Sequence, residues 1–152
     1  MDAIAGSDCA LALCRLDLTD YRNYAALRLD LSPRPVVLTG PNGAGKTNLL
    51  EAISYLAPGR GLRRASLPSV TRHDATEGRW AVAARLTTPT GPVRLGTGLG
   101  GEEGKRRAVH VDGAPTRGQM ALAQHVNVIW LTPEMDRLFS EHGSLYQEPW
   151  KD

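Results

Sequence analysis

The octapeptide Gly40-Pro41-Asn42-Gly43-Ala44-Gly45-Lys46-Thr47 fits the pattern G-x-x-x-x-G-K-(S/T), and each fixed residue in it has a chemical task. Glycines let the backbone take positive φ and bring its N–H groups within reach of phosphate oxygens. A helix beginning at the loop sets its N-terminal partial positive charge under the same phosphates. The Lys46 ammonium is a mobile point charge able to bridge β- and γ-phosphates, and the Thr47 hydroxyl suits a magnesium ion shared with the nucleotide. The pattern points to a nucleoside triphosphate, with ATP and magnesium the expected cofactors.

Such a loop works only if a strand feeds it and a helix leaves it. Val36-Val37-Leu38-Thr39 is a short continuous apolar run, expected as a strand covered on both faces. Thr47 to Ala57 has helical spacing, with Leu49, Leu50, Ile53 and Leu56 as one apolar stripe, and Pro58-Gly59 ends it. Upstream, residues 10 to 18 read as a strand running into polar Thr19-Asp20. Tyr24 to Leu31 sets Leu27, Leu29 and Leu31 against Arg28 and Asp30, the alternation of a half-buried strand at an edge or in an antiparallel pair. Downstream, Trp80 to Thr87, Val93 to Gly98 and Arg107 to Val111 read as a meander, and Asp112-Gly113 as a hairpin turn. Residues 117 to 125 read as a short helix and Val126 to Leu131 as a second buried strand. Thr132-Pro133-Glu134 then opens a helix, Thr132 capping it.

Pro41 to Asn48, followed by Leu49-Leu50-Glu51-Ala52-Ile53, resembles the ABC-type ATPase heads of the SMC class. Within that class the RecF family of DNA replication and repair proteins is the nearest match. Leu16 to Tyr24 resembles the family's opening strand and its F-R-N-Y turn, and Tyr55 to Arg63 the segment after its first helix. Val109 to Gly113 resembles its hairpin, and Ile129 to Phe139 its proline–glutamate region, all in the family's order from about residue 10 to 139.

The resemblance implies an α/β fold: a P-loop NTPase head of ABC type, with a mixed sheet and an antiparallel β meander, incomplete at the C-terminus. Residues 1–9 read as a disordered leader, 10–139 as the N-terminal part of the head, and 140–152 as a divergent tail. It further implies ATP-dependent binding of single- and double-stranded DNA in recombinational repair and the SOS response. Recombination-mediator partners and an ATP-dependent homodimer belong to the same picture. The nucleotide-binding residues would be Gly40, Pro41, Asn42, Gly43, Ala44, Gly45, Lys46, Thr47 and Asn48, with Thr47 also on magnesium.

Arg22 resembles the family's arginine beside the nucleotide; a solvated strand-end arginine is the other reading. Arg60, Arg63 and Arg64, with Arg72, suit DNA phosphates by charge, or form a charge-rich surface loop. Thr116-Arg117-Gly118-Gln119 imitates the ABC signature but lies too early, and Thr132 stands where the Walker B strand needs an Asp. Without that Asp, the signature and a catalytic Glu, the chain reads as truncated, and no competent hydrolysis by it alone is expected. The alternative to a DNA-repair protein is a P-loop phosphotransferase acting on a small molecule.

Composition narrows the classes. A length of 152 residues, 41% apolar and 22% charged, is that of one ordinary globular unit. A net charge of +2 does not by itself announce a nucleic-acid partner. Cys9 and Cys14 are too few for a disulfide framework or zinc site, and His73, His110, His125 and His142 lack ligand spacing. No run approaches the ~20 apolar residues of a membrane span, so a cytoplasmic protein without membrane contact is expected.

Overall fold

The structure, a computed structural model, describes residues 11–100 and 106–132. Its frame is a six-stranded antiparallel sheet in the order β2-β1-β3-β4-β5-β6. The strands are β1 Ala12–Tyr21, β2 Tyr24–Asp30, β3 Ala81–Thr88, β4 Gly91–Gly100, β5 Arg106–Val111 and the short β6 Ala114–Pro115. Helix α1, Lys46–Ser54, follows the glycine loop, a four-residue helix α2 spans Leu67–Val70, and Gln119–Gln124 is a 3-10 helix.

Strict alternation builds the sheet. In β3, Val82, Ala84 and Leu86 face inward while Ala81, Ala83 and Arg85 face solvent. Leu16 and Leu18 of β1 and Val93 and Leu95 of β4 join them on the inner face, where α1 contributes Leu49, Ala52 and Leu56. Burying such side chains contributes about 1.5–3 kcal/mol each. An aromatic cluster closes the core: the rings of Tyr21 and Trp80 meet edge-on at 5.6 Å, and Tyr55 packs on Trp80 at 5.1 Å. The Trp80 indole donates to the Leu67 carbonyl at 2.8 Å, so its one polar atom is satisfied.

The predicted meander and hairpin are present, and Asp112-Gly113 turns with both residues at positive φ, 49° and 87°. The 3-10 helix falls within the span read as a short helix.

Two predicted strands are not. Val36–Thr39 has no strand conformation, and Val36 and Val37 are 54% and 82% exposed. Val126–Leu131 is likewise without strand structure, with Ile129 92% exposed. A strand is stable only with a ladder partner, and among the described residues no strand flanks either run. The sheet is accordingly antiparallel throughout those residues rather than mixed. Helix α1 is shorter than the span 47–57 expected from periodicity, because Tyr55 to Ala57 form a closing turn. Its stripe is rotated too. Leu49 and Leu56 are buried, but Leu50 is exposed and Ile53 half-buried. Leu50 and Ile53 instead line, with Leu13, Leu29 and Val36, an apolar groove of about 370 Å³. The leader 1–9, the segment 133–139 with Pro133 and Glu134, and the tail 140–152 lie outside the described residues.

Candidate functional site

Gly40, Gly43 and Gly45 carry φ of 145°, 85° and 94°, values that L side chains rarely adopt. At Gly45 the need is double. A Cβ there would meet the Asn23 amide nitrogen at 2.8 Å and the Tyr24 hydroxyl. The loop thus rests directly on the β1–β2 turn.

Helix α1 starts at Lys46, and the backbone N–H groups of Gly43, Gly45, Lys46 and Thr47 bond to no other residue among those described. Unpaired amides at a helix N-terminus form an anion cradle. Lys46 lies across it: its ammonium donates to the Gly40 and Pro41 carbonyls at 2.7 and 2.8 Å. The donor set fits a polyphosphate: backbone amides, a helix N-terminus, a lysine and an exposed Thr47 hydroxyl. No group of three His, Cys, Asp or Glu suited to a metal occurs among the described residues. Thr47 would therefore ligate magnesium only together with the nucleotide's own oxygens.

The β1–β2 turn is held to α1 by a chain of polar contacts. Asn48 donates to Asn23 at 2.7 Å, and Arg63 donates to Asn48 at 2.7 Å. Arg63 also reaches Glu51 at 3.3 Å. Glu51 is fully buried, and Arg22 grips it with two parallel bonds, Nε to Oε2 at 2.8 Å and Nη2 to Oε1 at 2.7 Å. Such a fork is the strong form of an ion pair. The Glu51 hydrogen bond raises the pKa of Arg22 further. Arg22 sits at φ 54°, a costly conformation off glycine, and its backbone N–H is tied to the Val70 carbonyl at 2.8 Å. Burial, followed by the charge of Glu51, pushes the Tyr21 phenol upward, so it stays protonated.

Arg22, predicted beside the nucleotide, is therefore engaged one helical turn beyond the loop, with Glu51 and the Ser69 carbonyl. Arg63, grouped with Arg60 and Arg64 as a DNA contact, belongs to the same network; Arg60 and Arg64 are exposed. Arg72 pairs with Asp20 at 2.9 Å.

Two functional-looking residues were not singled out by the sequence reading. Glu51 is one; its signal is a carboxylate on the helix face that carries Asn48, Ala52 and Tyr55. Arg107 is the other. It occupies an inward position of β5 and donates to the carbonyls of Tyr55, Ala57 and Gly59 and to Gln119, with its guanidinium 5.3 Å from the Tyr55 ring. Desolvation lowers its pKa to about 10. The alternation Arg107, Val109, Val111 held that signal.

A family model described as an AAA domain matches residues 15–111. The DNA replication and repair protein RecF of Rhizobium meliloti (strain 1021) is 52% identical over 129 residues, 84% of this chain and 34% of that protein. The chain thus spans about a third of the length of the curated relatives it matches. A solved structure of the recombination mediator protein RecF-ATP superposes with a TM-score of 0.75 at 20% identity, covering 90% of this chain and 36% of that one. A structure from work on ATP-driven dimerization of SMC ATPases gives 0.61 at 15% identity, over 85% of this chain and 97% of that one. At these identities the two structures speak for the fold. No helix among the described residues is long and apolar enough to cross a membrane.

Proposed function

The chain belongs to the AAA-domain family and, within it, to the RecF proteins, whose N-terminal part it matches; from that premise we propose that it binds ATP through residues 40–48 as part of a DNA-repair protein. The observation that carries this reading is the cradle itself: four unpaired amides at Gly43, Gly45, Lys46 and Thr47, with Lys46 across it. An incoming triphosphate exchanges Lys46's two carbonyl partners for phosphate oxygens. Gly40, Pro41, Asn42 and Ala44 shape the loop, and Asn48 anchors it to Asn23. Thr47 would hold magnesium jointly with the nucleotide. Bound there, such an ion would supply neutralisation of phosphate charge.

Arg22 holds Glu51 in a two-bond fork, and a buried carboxylate that loses its partner costs about 3–5 kcal/mol. Its part in ATP binding is thus to fix Glu51 and the helix beneath the loop.

The wider activity follows the family: ATP-dependent binding of single- and double-stranded DNA, with Arg60, Arg63 and Arg64 as candidate phosphate contacts. Cooperation with recombination mediators, ATP-driven pairing of two heads, a role in the SOS response and a cytoplasmic location complete it. Titration with a fluorescent ATP analogue tests the core of this reading. Lys46→Ala is expected to weaken binding by at least about tenfold, or 1.4 kcal/mol. Unchanged affinity refutes it, and phosphate transfer to a metabolite without any DNA affinity replaces it with a phosphotransferase.

A further inference from the structure

The outer face of the sheet carries an unusual arrangement of charge. Arg15 of β1 stands directly opposite Arg85 of β3, and Arg85 directly opposite Arg94 of β4. Like charges in register across strands destabilise a sheet. Arg15 is compensated by Asp30 at 2.7 Å. Arg85 and Arg94 have no ion pair among the described residues; the nearest recorded carboxylate contact is Asp112 accepting the Arg94 backbone N–H at 2.8 Å. In the next row Arg28 pairs with Asp17 at 2.5 Å. With Arg106, the outward positions of the strands hold five arginines against Asp17 and Asp30, and Asp112 closes the row beside Arg94, which leaves an excess of two, as large as the net charge of the whole chain.

The ground beside that row is low. Ala83 and Gly96 follow Arg85 and Arg94 on the same face, and Thr19, Ala26 and Ala81 continue it, all small. Strands lie about 4.8 Å apart, so three arginines in register form a line about 10 Å long. On β3 and β4 a negatively charged backbone meets only small side chains beside the line, with Arg28 and His110 standing at the two flanks.

We propose that the outer sheet face is a binding surface for the phosphodiester backbone of nucleic acid, with Arg15, Arg85 and Arg94 as its contact row. This rests on the reading of the chain as part of a DNA-binding protein, and it adds a contact row on the strands to the candidate Arg60–Arg64 loop. Guanidinium groups suit phosphate oxygens by geometry as well as charge. An anion laid across the row also removes the repulsion that the bare sheet bears.

The test is anisotropy of a short fluorescein-labelled duplex with the whole chain, with and without ATP, from about 50 to about 200 mM salt. Arg85→Gln/Arg94→Gln is expected to bind at least tenfold more weakly and to flatten the log–log salt slope by roughly 1.8, two phosphate contacts' worth. Arg85→Lys/Arg94→Lys should keep the slope, and ATP affinity should be unchanged in both. The glutamine variant's urea midpoint should equal or exceed the parent's, which separates lost contacts from lost folding. An unchanged slope in the glutamine variant, with weakening in Arg60→Gln/Arg64→Gln instead, overturns the inference and leaves the DNA reading standing. Poly-glutamate displacing the duplex as readily as unlabelled duplex does also overturns it, in favour of an acidic protein partner. No duplex binding by the parent chain in either nucleotide state overturns both together.

Discussion

Glu51→Gln removes one charge from the centre of the contact between α1 and the β1–β2 turn while keeping the side chain's shape. Glu51 is inaccessible to solvent, Arg22's side chain is 19% exposed and Arg63's 42%. The Arg63 contact at 3.3 Å, half in water, contributes little, on the order of 0–1 kcal/mol. The Arg22 fork is the term that matters. Breaking a buried pair costs about 3–5 kcal/mol, and Arg22's partial access to water puts this one at about 3. In a chain of this length each kcal/mol moves Tm by about 2–4 °C, so a fall of about 6–12 °C is expected. Urea unfolding followed by tryptophan fluorescence should show the midpoint falling with m unchanged. Arg22→Met/Glu51→Leu replaces the pair with apolar groups, and its cost should be far below the sum of the single variants. A Glu51→Gln cost under about 1 kcal/mol, or strict additivity in the double variant, would refute the reasoning.

Two further substitutions probe the ends of the same helix. Gly45→Ala forces a Cβ onto φ 94° and against Asn23 and Tyr24, so a loss of about 2 kcal/mol and abolished ATP-analogue binding are expected; normal binding would show that the loop has room to spare. Arg107→Met leaves the carbonyls of Tyr55, Ala57 and Gly59 without their donor, an expected cost of about 3 kcal/mol with faster amide exchange around residues 54–57. Arg107 also has a pH signature. Its folded pKa, about 10, lies below the ordinary guanidinium value, so the folded state gives up that proton first. Its burial cost is therefore present in full below pH 10 and is relieved above it. The stability gap between parent and Arg107→Met should widen in the parent's favour with rising pH, provided both remain folded there.

What the sequence made legible was local. The loop at residues 40–47 is defined by its own glycines, and β3, β4 and β5 by short runs set off by turn residues, which need no knowledge of neighbours. The failures were all questions of partnership. Val36–Thr39 has the composition of a central strand, but pairing, not composition, makes a strand, and no strand lies beside it among the described residues. The stripe on α1 was misjudged for a related reason. Leucine count favoured Leu50 and Ile53, whereas burial follows the sheet, which takes Ala52 and Glu51. Glu51 itself was illegible as a hub because its partners Arg22 and Arg63 are 29 and 12 residues away in the chain. The opposed arginines Arg15, Arg85 and Arg94 belong to three separate strands and meet only in the register.

Helix α1 is fastened at both ends to different parts of one sheet. Its first turn is sewn to the β1–β2 hairpin by Asn23 and Asn48, and the carbonyls that follow its last turn are clasped by Arg107 from β5. A helix of nine residues is about 13.5 Å long, and it behaves here as a brace between the two ends of the sheet. The phosphate loop, the β1–β2 hairpin and β5 thus share one helix as their common support.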